Sequence, residues 1–319
     1  MTEMIATRAA YGEALARLGD VNPTVVVLDA DLSASTRTAE FAKRHPERFI
    51  QMGIAEQDMI GTAAGLAASG KIAFASTFAV FASGRAFDQV RNAVCYSELN
   101  VKICATHAGL TVGEDGASHQ SVEDIALMRA VPNMTVIVPS DAVQTAWAVN
   151  AAAVLDGPVY MRLGRAPVPV IYGEGQGFAL GKAQTLRAGD DVTIIACGIM
   201  TSRALAAAGA LAEQGISARV LDMHTIKPLD LDAVIAAAAE TGAIVTAEEH
   251  SIIGGLGGAV CEAVCELHPA PVVRVGVRDQ FGKSGKPDEL LVAYGLTADE
   301  IAGAAVRAIS MKTAVGRII

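Results

Sequence analysis

Three stretches of the sequence carry side chains able to do chemistry. The densest is Thr106–Gln120, THAGLTVGEDGASHQ, in which two histidines, an aspartate and three glycines fall within thirteen residues. Histidine and aspartate supply donors and acceptors for a polyol or for proton transfer, and glycine lets backbone approach a ligand. The plain alternative is a solvated loop, and the histidine spacing is not that of a zinc site. The second stretch is Gln51–Met59, QMGIAEQDM, where Glu56 stands at the start of an apolar helix. A carboxylate there could simply cap the helix or, once buried, act as an acid–base group. The third is Ser76–Phe81, STFAVF, with Phe78 and Phe81 three apart just after a strand. Such a pair is either core or a flat apolar wall for a heteroaromatic ring.

The surrounding pattern says what must position these groups. Short β-branched runs (Thr24–Leu28, Lys71–Ala75, Val101–Ala105, Thr135–Val138) alternate with longer Ala-rich segments (Ala55–Ser69, Arg85–Glu98, Ala142–Leu155) that read as helices. The second half repeats the rhythm: strand Val192–Ala196, helix Ser202–Gln214, strand Ala218–Leu221, helix Leu231–Glu240, strand Ala243–Thr246, helix Leu256–Leu267, strand Val272–Val275. This predicts an α/β protein of two three-layer αβα domains with mostly parallel sheets. The loop holding His107 then follows a strand, where open parallel sheets place their ligand crevices. Ala166–Gly181 is dense in proline and glycine, so the boundary is set near residue 180: a first domain over 1–170, a linker over 171–185 and a second domain over 186–319.

A length of 319 residues suits two domains at about 150 residues each. The charge balance of 34 acidic to 25 basic residues, net −9, leaves no basic footprint for nucleic acid or anionic lipid. Uncharged runs such as Ile72–Gly84 fall short of the ~18 apolar residues that cross a bilayer. Met1-Thr2-Glu3 does not open a signal peptide, and five cysteines without a CxxC fit a reducing cytoplasm. Cys261 and Cys265 would share a helix face as small core residues. Gly254–Gly258, GGLGG, does not satisfy GxGxxG and reads as a tight turn before a helix. Glu248-Glu249-His250 would alternate in direction along a strand end, which argues against a metal site.

Taken in order, Met52–Met59, Ser76–Phe78 (STF), Arg85–Gln89 (RAFDQ), His107–Gln120, Val138–Asp141 (VPSD) and Leu163–Arg165 (LGR) resemble transketolase over almost the whole chain. The resemblance implies the pyrimidine-binding domain and the C-terminal domain of that thiamine-diphosphate enzyme family. The family holds the diphosphate and its Mg²⁺ in another domain, marked by a GDG and a later asparagine. No GDG occurs here; Gly113–Gly116 reads GEDG. The chain therefore resembles the C-terminal subunit of a split transketolase. The implied partner is an N-terminal subunit that holds the diphosphate and Mg²⁺, in a heterotetramer with cofactor sites at the interfaces. The small side chains of Gly61, Ala64, Gly65 and Ala68 offer a helix face for that close packing.

The resemblance also implies roles. Glu56 would hydrogen-bond N1′ of the aminopyrimidine, a buried carboxyl among apolar neighbours being biased toward its protonated form. Phe78 and Phe81 would pack against that ring, although Ala82-Ser83-Gly84 stands where some members carry a third aromatic. Asp31 matches an acidic position near the cofactor and the subunit interface. Arg8, Ser35, His119 and Arg165 match positions that bind the sugar phosphate, for which arginine's planar fork is suited. His107 and Asp115 match residues that bind sugar hydroxyls, and His107 would assist proton movement. The reaction implied is transfer of a two-carbon ketol unit from a ketose phosphate to an aldose phosphate. 1-Deoxyxylulose-5-phosphate synthase and the β subunit of 2-oxoacid dehydrogenases are the alternatives among enzymes. The first lacks a histidine at the place of His107, and the second lacks this combination of motifs. Outside enzymes the alternative is a non-catalytic stabilising or regulatory subunit. The second domain offers no chemical signal, and Asp279–Gly282 (DQFG) and the tail after Ser310 fit no motif.

Overall fold

The computed structural model describes residues 3–315. Its strands are β1 (Met4–Ala6), β2 (Val25–Asp29), β3 (Phe49–Gln51), β4 (Ile72–Phe78), β5 (Val101–Thr106), β6 (Thr135–Ile137) and β7 (Val159–Arg162). There follow β8 (Pro167–Pro169), β9 (Gln184–Arg187), β10 (Val192–Ala196), β11 (Ala218–Asp222), β12 (Thr225–Lys227), β13 (Ile244–Ser251) and β14 (Val272–Val277). A seven-stranded sheet runs β12-β6-β7-β5-β4-β2-β3, and a five-stranded sheet runs β14-β13-β10-β11-β9. Pairing in these two sheets is parallel except for β12 on β6 and β9 on β11, and β1 and β8 form a separate antiparallel pair. Every residue of β2, β5, β7 and β10 is buried. That is why these runs are mainly apolar rather than alternating: helices cover both faces.

Three cores result. Tyr11, Leu15 and Phe41 pack with Val25, Phe74 and Ala148 on one side of the first sheet. Met200, Leu211, Leu296 and Ile301 pack on the outer side of the second. Between the sheets lies one continuous core, joining Met59, Ile60 and Val90 through Tyr160 to Ile195, Leu221 and Val260. The two halves are thus fused by shared apolar contact.

The structure departs from the pattern reading in definite places. The helix expected over Arg85–Glu98 begins earlier, as a π turn at Phe81–Arg85, passes through Phe87–Gln89 and ends in a second π turn at Val90–Cys95. Leu231–Glu240 likewise splits into a helix at Leu231–Ala236 and a π turn at Ala237–Thr241. A π turn inserts a residue and shifts the apolar face, so a fixed 3.6-residue period cannot show it. Helix Thr7–Val21 and strand β12 were not legible, and β12 carries residues of the second half into the first sheet. Of the tail after Ser310, residues to Val315 continue helix Ala298–Val315 and the rest lie outside the described residues.

The GGLGG segment turns into helix Leu256–Leu267. The carboxylate of Glu248 accepts the N–H groups of Leu256 at 2.7 Å and Gly257 at 2.8 Å. The anion seat at this helix start is thereby filled by the chain's own side chain. The expected close-packing face of helix Glu56–Ala68 divides: Ala64 is buried, while Gly61, Gly65 and Ala68 face solvent. Among the described residues, nothing beyond the helix's own neighbouring backbone lies within 4 Å of a Cβ built at Gly61 or Gly65. No described helix is long and apolar enough to cross a membrane.

Candidate active site

Register brings the first groups together. Phe78 ends β4 opposite Thr106, the last residue of the neighbouring strand β5. The next residue, His107, lies with its ring over Phe78 at a centroid distance of 3.8 Å and an interplanar angle of 21°. It reaches that position through a left-handed backbone, φ 56°, an uncommon conformation for a non-glycine residue. Its Nδ1 lies 2.9 Å from the Thr106 hydroxyl and its Nε2 3.4 Å from Arg8 Nη1. Burial, together with the positive charges of Arg8 and Arg165 and the neighbouring His119, pushes the His107 pKa down to about 3. The imidazole is therefore neutral at physiological pH and can accept as well as donate.

The wall continues through Phe81, 5.9 Å from Phe78 and within 10° of parallel. His119 sets its edge against both phenyl rings at 6.3 and 5.5 Å, its Nδ1 3.0 Å from the Ser118 hydroxyl. The π turn that begins at Phe81 ends at Arg85, which places the Arg85 guanidinium over the Phe81 ring at 4.5 Å. Arg85 Nη1 donates to Glu56 Oε1 at 2.8 Å. Glu56 is 1% exposed at the start of helix Glu56–Ala68. Its surroundings are thus not purely apolar, as the sequence suggested, because a distant arginine reaches one oxygen. The other, Oε2, is buried without a hydrogen-bond partner. Leaving such an oxygen unpaired costs free energy, so it marks a place where a ligand's hydrogen bond fits.

A further arm runs from His107 through Arg8, whose Nη1 donates to the Ser35 carbonyl at 2.8 Å. Ser35 sits in a turn organised by Asp29, which accepts from Thr36 at 2.6 Å, Thr38 at 2.8 Å and the Leu32 N–H at 2.6 Å. Arg165 follows β7, donates to the Val112 carbonyl and lies 3.4 Å from Glu114. Glu56, Arg85, Phe81, Phe78, His107, Arg8 and Ser35 therefore form one unbroken line of contacts, with His119 against the aromatic wall.

Three expected residues lie outside that line: Arg165, whose partners are Val112 and Glu114, and the two aspartates. Asp31 is exposed at the end of β2, its N–H donating to Gln51 Oε1 at 2.7 Å, and Asp115 is exposed at the end of its turn. Neither shares a hydrogen bond with the group. Arg85 and the buried Gln120 escaped sequence reading of the site, although both stand inside quoted motifs. Their importance depends on contacts made across the fold. Among the described residues no group of three or more His, Cys, Asp or Glu side chains is placed to hold a metal ion. The stacked phenyl pair and the orphan carboxylate oxygen fit a flat heteroaromatic ring bearing a hydrogen-bonding nitrogen.

Comparison with known proteins agrees with this geometry. Residues 3–170 match the transketolase pyrimidine binding domain, and residues 181–301 match the transketolase C-terminal domain. The chain is 49% identical over 298 residues to the 6-deoxy-6-sulfo-D-fructose transketolase subunit SqwH of Clostridium sp. (strain MSTE9), covering 93% of this chain and 92% of that one. Against human transketolase the identity is 44% over 95% of this chain but only 49% of the human one. A solved structure described as "Split gene transketolase, inactive beta4 tetramer" superposes with a TM-score of 0.91 at 57% identity, covering 97% of this chain and 99% of that one. The chain belongs to the transketolase family, as a C-terminal section carrying the pyrimidine-binding and C-terminal domains.

Proposed function

We propose that this chain is the pyrimidine-binding subunit of a two-polypeptide, thiamine-diphosphate-dependent transketolase, moving a two-carbon ketol unit from a ketose phosphate to an aldose phosphate. The observation that carries this is the Glu56 carboxylate, one oxygen held by Arg85 and the other buried and unpaired, beside the Phe78–Phe81 wall. When bound, thiamine diphosphate supplies a thiazolium carbon that stores the electron pair released on carbon–carbon cleavage. The protein residues bind, orient and move protons. Glu56 Oε2 would hold the hydrogen bond to the ring nitrogen N1′ and the proton shared there. Phe78 and Phe81 fix the plane of the ring, and Asp31 lies toward the cofactor and the subunit interface. His107, held neutral, exchanges a proton with a substrate hydroxyl, and Asp115 binds a neighbouring hydroxyl. Arg8 and Arg165, with Ser35 and His119, take the sugar phosphate at the other end of the crevice.

The diphosphate and Mg²⁺ fall to an N-terminal partner subunit, since the sequence has no GDG. Two copies of each chain then form a heterotetramer with sites at the interfaces, in a reducing cytoplasm. The exposed small-residue face at Gly61, Gly65 and Ala68 supports such an assembly, as does the naming of a split-gene relative's β-only tetramer as inactive. Co-expression with a partner that carries GDG, followed by assay across a panel of phosphorylated sugars, tests the reading. Ketol transfer dependent on both subunits and on thiamine diphosphate is expected; a complex with bound cofactor and no transfer on any sugar pair overturns it.

A further inference from the structure

The second half of the chain lacks chemical motifs, yet it reaches into the loop that carries the histidines. Gln120, 3% exposed, donates from Nε2 to the carbonyls of Leu110 at 3.1 Å, Gly113 at 3.2 Å and Lys283 at 3.0 Å. Lys283 follows the DQFG segment. A Cβ added at Gly282 would stand 1.9 Å from Gln120 Oε1 and 2.9 Å from Leu110 Cδ2, so a larger residue must push the Gln120 amide out of place. On the other side of the loop, Glu249 Oε1 accepts the Thr111 N–H at 2.6 Å. Gly109, at φ 80°, is there because a Cβ would lie 2.3 Å from the Glu249 carboxyl carbon. Arg162 ties both flanks, its Nη2 donating to the carbonyls of Ser121 at 3.3 Å and Glu249 at 3.0 Å.

We infer that Gln120 and Glu249 are positioning residues, through which the C-terminal domain fixes the loop bearing His107 and His119 in its substrate-binding form. The inference rests on the reading of that loop as the sugar-phosphate site. The loop runs from Ala108 to His119 and has its own turns. Helix Pro287–Ala293 of the second domain packs on its outer side. The polar grips that fix its backbone come from Gln120 and Glu249. Gln120 grips from inside, by two of the loop's own carbonyls, and from outside, by Lys283. Glu249 reaches across from β13 and holds the far turn. With both in place the His107 ring and the His119 ring keep their separation across Phe78. Neither Gln120 nor Glu249 hydrogen-bonds to Glu56 or Phe81, so they reach the cofactor wall only through the histidine rings that lie against it. Displacement of reacting groups by about an ångström is enough to lose about a hundred-fold in rate.

The test uses Gln120→Ala, Gly282→Ala, Glu249→Ala and the conservative Glu249→Gln, which keeps an oxygen acceptor for Thr111 N–H. In the full chain, amide exchange over residues 108–119 should accelerate about ten-fold or more in the first three variants, with β4 and β10 unchanged. In the two-subunit complex the KM for sugar phosphate should rise by about ten-fold while thiamine diphosphate affinity stays within about two-fold. Glu249→Gln should restore both readouts toward the parent. Unchanged loop exchange in Gln120→Ala and Gly282→Ala overturns the inference. So does faster exchange through both sheets with a matching fall in Tm, which would mark a general structural role. Should the parent complex show no ketol transfer, the functional reading falls while the exchange experiment still decides the grip.

Discussion

Arg85 and Glu56 are joined asymmetrically: Nη1 lies 2.8 Å from Oε1, while Oε2 stays buried and unpaired. The same guanidinium rests on Phe81, 4.5 Å from the ring centroid. The arginine thus fixes which carboxylate oxygen remains available and aligns it with the aromatic wall. A carboxylate free to rotate would offer either oxygen and lose orientational order on binding.

Glu56→Gln tests the unpaired oxygen. In the assembled enzyme turnover should fall by roughly 10²–10⁴-fold, the usual worth of a positioned acid–base group. The Tm of the chain should change little, because an amide oxygen still accepts from Arg85. Steady-state kinetics and thermal unfolding read the two effects separately.

The chain purified without a partner should show no ketol transfer and bind thiamine diphosphate only weakly. Aromatic packing and one carboxylate are present, but no described cluster could hold Mg²⁺ for a diphosphate. Calorimetric titration of the cofactor into the isolated chain and into the two-subunit complex checks this.

Arg8→Ala should raise the KM for phosphorylated ketoses by about ten- to a hundred-fold, since a hydrogen bond to a charged group is worth roughly 1.5–3 kcal/mol. An unphosphorylated ketose should be much less affected. Comparing the two donors in the complex separates loss of a phosphate contact from disturbance of Ser35, whose carbonyl Arg8 also holds.

His107 makes stability depend on pH in a definite direction. Its folded pKa is pushed from the ordinary 6.5 down to about 3 by burial and by its cationic neighbours. Between those values the unfolded chain binds a proton that the folded chain refuses. Stability should therefore fall as pH drops below about 6.5, by up to roughly 1.4 kcal/mol per unit for one proton. His250, lowered to about 4 mainly by burial, acts with the same sign. In His107→Asn, which never titrates and tolerates the left-handed backbone, urea midpoints measured from pH 4.5 to 7.5 should show a shallower slope. Imidazole NMR of the parent should show His107 unprotonated throughout.

A bulky residue on the open helix face should block assembly without harming the fold. Gly65→Trp adds a side chain where a Cβ meets nothing within 4 Å, so Tm should be retained. Light scattering of the mixture with the partner should show loss of the large complex. Ala64, being buried, is the poorer site for this test, because overpacking there costs about 1–3 kcal/mol within the chain itself.

Glu56, Phe78, Phe81 and His107 stood out in the sequence by type and place, but type alone allowed a helix cap for Glu56 and core packing for the phenyl pair; their proposed roles came from the family resemblance. The strands β2, β5 and β10 were legible for a different reason: burial on both faces leaves short runs that are mainly apolar and β-branched. Arg85 was not, since its reach to Glu56 depends on a π turn that no periodicity reveals. Gln120 and Glu249 act through partners 163 and 138 residues away in sequence. Three-residue strands such as β12 are too short to carry a pattern of their own.

That short strand has a consequence for how the molecule can be divided. Residues Thr225–Lys227 are hydrogen-bonded to β6 at the edge of the first sheet, having passed through β9, β10 and β11 of the second. A nick in residues 171–183 would leave two fragments still stitched by backbone pairing and by the core between the sheets. Such fragments should co-purify and re-associate, whereas a first-sheet fragment alone would present β6 as a bare, aggregation-prone edge. The chain is thus mechanically indivisible at the segment where its composition most suggests a joint.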